Sequence, residues 1–340
     1  MNPNDISPII REKAPLILAE IQKAKNILLH CHPSPDPDSV CSALAMRLAL
    51  EQLGKKAIVI KGDSDKIPEE FMHFPGADTI VMKNISEINL SEFDLFIILD
   101  SGSPEMISYK APPVFPMPLR TIVIDHHASN KMYGDLNLVD ICSATAFVLY
   151  QLFVLWKIEL THDISLNLFI GLYTDSGGLK YSPADYRIFE VAAVLVKNSP
   201  DFVQAIFKME NSLHKEAIYY EALALSSVET FLGDNIAIAS VSSQQLVAKG
   251  IDVSFTHTDI PNMLKSVIGW NIGMTIIERE PGHIKVSMRS RDVEKFDVSK
   301  LALALGGGGH KAAAGTRIMG VTLDVAKKLV VSKAKELYNL

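Results

Sequence analysis

Asp125-His126-His127 follows a short apolar run, Thr121-Ile122-Val123-Ile124. One acid and two imidazoles at the tip of a buried strand are metal-ligand types, placed where α/β folds keep their active sites. Three other segments repeat the theme. His30-Cys31-His32-Pro33-Ser34-Pro35-Asp36-Pro37-Asp38-Ser39 follows the apolar run 27–29, Asp100 ends the run 95–99, and Asp175 lies in the segment 171–178. The expected metal ligands are His32, Asp36, Asp38, Asp100, His126 and Asp175. Four carboxylates packed this closely repel one another and take up protons unless cations neutralise them. Their summed charge matches two divalent cations, which at ~3.5–4 Å need a bridging ligand, and Asp100 is the expected bridge. Such a pair would acidify a water and so supply a nucleophile at neutral pH. Oxygen and imidazole donors without a thiolate favour Mn²⁺ over Mg²⁺ or Co²⁺. Cys31 faces away from His32 if the strand alternates. His127 is expected to donate to a substrate phosphate or to orient a ligand, which gives Asp100, His126 and His127 as the catalytic set. His30 reads as a buried, hydrogen-bonded imidazole.

The elements that must hold these groups alternate between strand and helix. Strands are expected over 27–29, 57–60, 94–99 and 121–124, with helices over 7–24, 39–53, 143–157 and 163–174, Pro15 interrupting the first. Near-continuous apolar runs are strands buried on both faces, and βαβ alternation implies a parallel sheet with helices on both faces. Ligands then gather at the strand carboxyl ends, so the scattered acids converge on one rim. Residues 183–229 read as helical throughout, a connector, and beyond them short strands and helices resume. The expected division is 1–190, a linker over 191–229, and a smaller α/β domain over 230–340. Phe202, Phe207 and Leu213 either form a homodimer face or pack on their own domains. Tyr181 and Ser182, just past Asp175, either line a cleft or pack. His73, His162, His214, His257 and His283 read as surface residues.

Bulk properties narrow the function. The 340 residues favour two domains. Neither a bilayer-length apolar run nor a signal peptide is seen, and three cysteines form no CxxC pair, so a cytoplasmic protein is expected. Residues 231–340 hold 14 basic and 10 acidic side chains, leaving 19 basic and 29 acidic in 1–230. Neither part can hold a long duplex by charge alone, whereas a small nucleotide or a short oligonucleotide suits the balance.

A second constellation lies in the C-terminal part. Gly306-Gly307-Gly308-Gly309-His310 follows a helix end, so it is neither a Rossmann fingerprint nor a P-loop. Gly307, Gly308 and Gly309 can expose N–H groups to a phosphate, or can simply cap and turn the chain. His310, with Arg289 and Arg291 on a nearby expected strand, favours an anion site.

The set His32, Asp36, Asp38, then Asp100, then Asp125-His126-His127, then Asp175 resembles the four motifs of the DHH phosphoesterases. The glycine segment with Lys311-Ala312-Ala313-Ala314-Gly315 resembles the companion DHHA1 motif, and together they span roughly 25–340. The size is similar to the NrnA-like branch of nano-RNases and pAp phosphatases. Cys41 and Ser176 depart from the usual glycine and threonine and leave every ligand in place. The resemblance implies a DHH catalytic domain and a DHHA1 substrate-binding domain, with two Mn²⁺ ions hydrolysing phosphoesters. It implies Asp125 as a group supporting the histidine ligand, and Arg289 and His310 as substrate contacts. The expected activity is hydrolysis of short oligoribonucleotides to mononucleotides and of pAp to AMP. The alternatives are linear or cyclic dinucleotides (pApA, pGpG, c-di-AMP) as substrates, or a non-catalytic nucleotide sensor.

Overall fold

The computed structural model describes residues 5–63, 67–108, 113–181, 183–256 and 259–340, so Ser182 and His257 lie outside the described residues. The chain divides into two units, Met1–Ser212 and Leu213–Leu340.

The first unit is a six-stranded parallel sheet. Its strands are β1 (Asn26–Cys31), β2 (Lys56–Lys61), β3 (Val81–Met82), β4 (Leu95–Leu99), β5 (Arg120–Asp125) and β6 (Leu136–Val139), in the spatial order β3-β2-β1-β4-β5-β6. β4 is buried at every position, and β1 and β5 at all but the first, because both faces are covered. Alternate residues part to two cores. Leu29, Ile97 and Ile124 join one built with α1 (Pro8–Lys23), α2 (Pro37–Gln52), α3 (Thr145–Trp156), α4 (His162–Asp175), α5 (Tyr186–Asn198) and α6 (Phe202–Glu210). Leu28, Phe96, Ile98 and Val123 join the other, closed by Ile85, Ile107 and Leu119 from single-turn 3-10 helices and connecting segments. The long helices therefore gather on one face. Pro15 sits inside α1 on its exposed side, where the carbonyl it leaves unpaired can be hydrated.

The second unit holds α7 (Lys215–Ser226), β7 (Glu229–Phe231), β8 (Ile236–Val241), α8 (Ser243–Lys249), α9 (Ile260–Ser266), β9 (Ile272–Glu280), β10 (His283–Ser290), α10 (Val298–Ala304), β11 (Gly308–Gly309), β12 (Ala313–Met319) and α11 (Leu323–Tyr338). Its sheet order is β11-β12-β10-β9-β8-β7, antiparallel except for β8 beside β9. Ile284, Val286 and Met288 face a core with α10 and α11, while Ala237, Ala239 and Ile277 face another with α7, α8 and α9.

The helices expected as a linker are shared between the units. Val191, Leu195 and Ala205 of α5 and α6 lie in the first unit's main core, while Tyr220 and Ala224 of α7 lie in the second. α5 and α6 bury their apolar stripes against α4, and α7 packs against β8. Phe202 packs edge-on against Phe169, and Phe207 and Leu213 are exposed.

Candidate metal centre

The strand order turns about the β1–β4 pair: β2 and β3 continue on one side, β5 and β6 on the other. This is a topological switch point, and β1, β4 and β5 end beside one another there. His32 follows β1, Asp100 follows β4, and Asp125-His126-His127 close β5. Asp100 takes φ 52°, a left-handed backbone that costs a non-glycine residue energy and is held by its N–H to the Ile124 carbonyl, 3.0 Å. Asp36 caps α2 by accepting from the Ser39 N–H at 2.9 Å, and Pro37 fills the first helical position, so the cap fixes where Asp38 projects.

The six expected ligands meet. His32 Nε2 lies 3.5 Å from Asp36 Oδ2 and 3.7 Å from Asp100 Oδ2. His126 Nε2 lies 3.5 Å from Asp100 Oδ1 and 3.2 Å from Asp175 Oδ2. Asp38 groups with His126 and Asp175, while Asp100 joins both His32–Asp36 and the DHH triplet, in donor sets each within 4.8 Å. Asp38, Asp100, Asp125, His32 and His126 are buried, Asp175 is partly exposed and Asp36 lies at the surface.

Asp125 contacts both histidines. Its Oδ1 accepts from the main-chain N–H of His126 at 2.8 Å and from His127 Nδ1 at 2.6 Å, and its Oδ2 accepts from Asn130 Nδ2 at 2.6 Å. The ring of His126 is oriented instead by the Cys142 carbonyl, 3.0 Å from Nδ1. Asp125 thus fixes the imidazole of His127, whose ring lies against that of His126, 4.3 Å between centroids.

Thr145 and Gly171 were not singled out by the sequence. Thr145 opens α3, whose N-cap residue Ala144 offers no side-chain acceptor. Asp38 takes that role from 107 residues away, accepting from Thr145 N at 2.7 Å and Ala146 N at 3.0 Å. The Thr145 hydroxyl donates to Asp100 Oδ1 at 3.0 Å, so one residue fixes two carboxylates. A Cβ at Gly171 would stand 2.6 Å from Asp38 Oδ1. Gly171 shares a face of α4 with Asp175, four residues on, and its bareness lets that face approach. The alanine at the N-cap of α3 leaves its first N–H groups to a distant anion, although Ser143 stands just before it in the chain.

The electrostatics ask for cations. Burial, then the charges of Asp38 and Asp36, push the Asp100 carboxyl well above its usual range. Burial and then Asp38 raise Asp175 to about 7, and burial raises Asp38 despite two helix N–H groups. Burial would lower His126, yet Asp100 and Asp175 together raise it. His32 Nδ1 is buried without a hydrogen-bond partner. Donors 3.2–3.7 Å apart have the separation of neighbouring ligands that each lie roughly 2.1 Å from one ion. The residues therefore fit divalent cations. A thiolate has no part: Cys31 Sγ points to the Ile60 carbonyl, 3.6 Å away, in the main core. His30 is buried against the Ile107 carbonyl at 3.3 Å, and burial lowers it to about 3.

The expected substrate contacts are divided. Arg289 projects from the face of β10 opposite the Met288 core and lines a cavity of ≈ 530 Å³. Arg291 instead donates to the Ser266 and Val267 carbonyls at 3.3 and 2.8 Å, capping the carboxyl end of α9. Gly307 N–H bonds Ala302 O at 2.7 Å and His310 N–H bonds Ala313 O at 2.7 Å, while Gly308 and Gly309 pair with Gly315 and Ala314 as β11, an exposed edge strand. A Cβ at Gly307 would stand 2.1 Å from Gly315 O, so glycine is required there by close strand approach.

The chain carries two known domains, its residues 26–172 matching the DHH family N-terminal domain and 236–336 the DHHA1 domain. Among characterised relatives it is 28% identical to the bifunctional oligoribonuclease and PAP phosphatase NrnA of Thermus thermophilus, over 99% of this chain and 98% of that one. It is 24% identical to the probable NrnA of Streptococcus mutans, over 88% and 91%. A crystal structure of an exopolyphosphatase-related protein from Bacteroides fragilis shares the fold, with TM-score 0.83 at 21% identity over 97% of this chain and 98% of that one. RecJ of Thermus thermophilus in complex with Mn²⁺ aligns with TM-score 0.52 at 13% identity, over 98% of this chain and 55% of that one.

Proposed function

We propose that this chain is a two-metal phosphoesterase that hydrolyses short oligoribonucleotides to mononucleotides and pAp to AMP. The observation that carries the reading is the meeting of His32, Asp36, Asp38, Asp100, His126 and Asp175 in overlapping donor sets at the switch point. The names of the full-length relatives supply the substrate class. The six residues would hold two divalent cations, with Mn²⁺ the best match to their oxygen and imidazole donors. Bound there, such cations supply Lewis acidity to a phosphoryl group and make a water acidic enough to serve as nucleophile near neutral pH.

The chain's own groups do the rest. Asp38 and Asp100 are held in place by Thr145, so they need not reorganise as charge develops. His127 keeps its Nδ1 toward Asp125; burial opposes protonation, but the Asp125 bond and charge outweigh it and raise the imidazole above its usual range. His127 can then carry a proton for a phosphoryl oxygen. The DHHA1 unit, with Arg289, binds the nucleotide. No helix among the described residues is long and apolar enough to cross a membrane.

The test is mononucleotide release from a 5′-labelled diribonucleotide, with pAp and c-di-AMP in parallel, under Mn²⁺. Turnover by wild type that Asp100→Ala abolishes, with the melting temperature of the metal-free protein kept, supports the reading. Wild type inert toward the whole panel overturns it.

A further inference from the structure

Asn130 lies in the turn that follows Asp125-His126-His127, and the chemistry above gives it no part. Its Nδ2 donates to Asp125 Oδ2 at 2.6 Å. The other oxygen of that carboxylate accepts from His127 Nδ1 at 2.6 Å and from the His126 main-chain N–H at 2.8 Å. Asp125 is fully buried, so its carboxylate is gripped from both sides by N–H donors that water does not replace. A chain of two short bonds thus runs from Asn130 through Asp125 to His127.

Asn130 is itself held from outside the triplet. Its Oδ1 accepts from the Met132 N–H at 2.7 Å, and its Nδ2 also faces the Ser101 carbonyl at 3.4 Å. Exchanging the two ends of the amide would set nitrogen against an N–H and oxygen against a carboxylate, so its orientation is fixed by its partners. The Asn130 N–H bonds His127 O at 3.1 Å, the Lys131 N–H bonds Gly102 O at 2.8 Å, and the Tyr133 hydroxyl donates to Ser101 O at 2.9 Å. The turn is therefore tied to Ser101 and Gly102, the two residues directly after Asp100. Met132 takes φ 53°, a left-handed backbone that the bond to Asn130 Oδ1 helps to hold.

An asparagine that accepts from the N–H two residues on is a common turn device, and that accounts for Oδ1. It does not account for Nδ2. An aspartate would supply the same acceptor to the turn, whereas only the amide adds a donor for the buried carboxylate. Resting on the phosphoesterase reading above, we infer that Asn130 is a positioning residue for the reaction: through Asp125 it sets the direction of the His127 imidazole. With Nδ1 turned to Asp125, the proton that His127 carries for a phosphoryl oxygen must come from Nε2. Asn130 fixes where that nitrogen stands and touches neither substrate nor metal.

Asn130→Asp is the isosteric probe, because it keeps the acceptor for Met132 and removes the donor to Asp125. Asn130→Ser also offers the turn an acceptor but adds no charge, and it serves should Asn130→Asp fold poorly. Diribonucleotide cleavage is measured with the full-length Mn²⁺-loaded protein for wild type, both Asn130 variants, His127→Ala and His127→Ala combined with each. Each Asn130 variant should cut kcat about tenfold or more with KM within about twofold. In the His127→Ala background the same substitutions should cost nothing further, as required of a residue that acts through the imidazole. The readout without metal is the Nδ1–H proton resonance of His127 in chelator, identified by its loss in His127→Ala. Wild type should show it shifted downfield and protected from exchange, and Asn130→Asp should move or broaden it with the melting temperature kept. If wild type turns over and the Asn130 variants keep kcat, raise KM alone, or slow His127→Ala as much as wild type, the positioning role is overturned and the phosphoesterase reading stands. If wild type is inert, the phosphoesterase reading fails; a resonance that Asn130→Asp displaces would still uphold the hold on His127, and one that it leaves unmoved would overturn it.

Discussion

Thr145 links two carboxylates from separate segments, and its hydroxyl is the part that can be removed without changing shape. Thr145→Val leaves Asp100 short of a charge-assisted hydrogen bond, a loss on the order of 1.5–3 kcal/mol in such bonds. We expect Mn²⁺ affinity, read by calorimetric titration, to fall about tenfold or more, and Thr145→Ser to recover it. Unchanged metal affinity alongside a lowered melting temperature would mean that Thr145 serves packing alone. Asp175 offers a proton-linked check. With its folded carboxyl raised from 3.8 to about 7, its favourable contribution is complete at acid pH and is lost as pH rises through that window. In metal-free urea denaturation, Asp175→Asn should therefore gain on wild type between about pH 4 and about pH 7, then level off. Saturating Mn²⁺ should reverse the sign, since only wild type keeps the ligand. A gap independent of pH without metal would show that Asp175 is not charge-crowded.

α4 brings Asp175 to the site only because Gly171, one turn earlier, has no side chain. In Gly171→Ala the new Cβ meets Asp38 Oδ1, which is pinned to two helix N–H groups and cannot retreat cheaply. The expected cost is about 1–3 kcal/mol of stability by chemical denaturation, typical of overpacking, with weakened metal binding. A neutral result on both counts would mean that α2 and α4 can part locally. α3 and α2 show the same coupling in reverse: the helix without its own cap borrows an acid from the other. Most long elements were readable as such, α2, α4 and β4 to within a residue or two, because long apolar runs are bounded in the chain by capping and breaking residues. The two-residue β3 and β11 carry no periodic signal and exist only because a neighbouring strand offers a ladder.

Each unit has hydrophobic cores of its own. The six candidate ligands all lie in the first, so heating with added metal and with chelator should move one component of the unfolding profile. At a hundredfold excess over Kd, the shift corresponds to about 2.7 kcal/mol. Equal movement of the whole profile would argue that the chain unfolds as one cooperative block. Within the uneven charge read from the chain, acidic in 1–230 and basic beyond, Asp36, Asp38, Asp100, Asp125 and Asp175 gather in the candidate metal centre, and Lys285 and Arg289 share one sheet face.

The sequence by itself determined the parallel α/β frame and the six candidate ligands that meet beside one another. Residue type, apolar period and position at strand ends are local properties, and a parallel sheet leaves its carboxyl ends one place to meet. The tertiary structure alone decided who supports whom. Asp125 serves His127, Cys142 serves His126, and Thr145 serves Asp38 and Asp100. It also set Gly308 and Gly309 on an edge strand beside β12 and Lys285 beside Arg317. These are pairings between groups tens of residues apart, fixed by hydrogen-bond direction and strand register, and a linear chain carries no local mark of either.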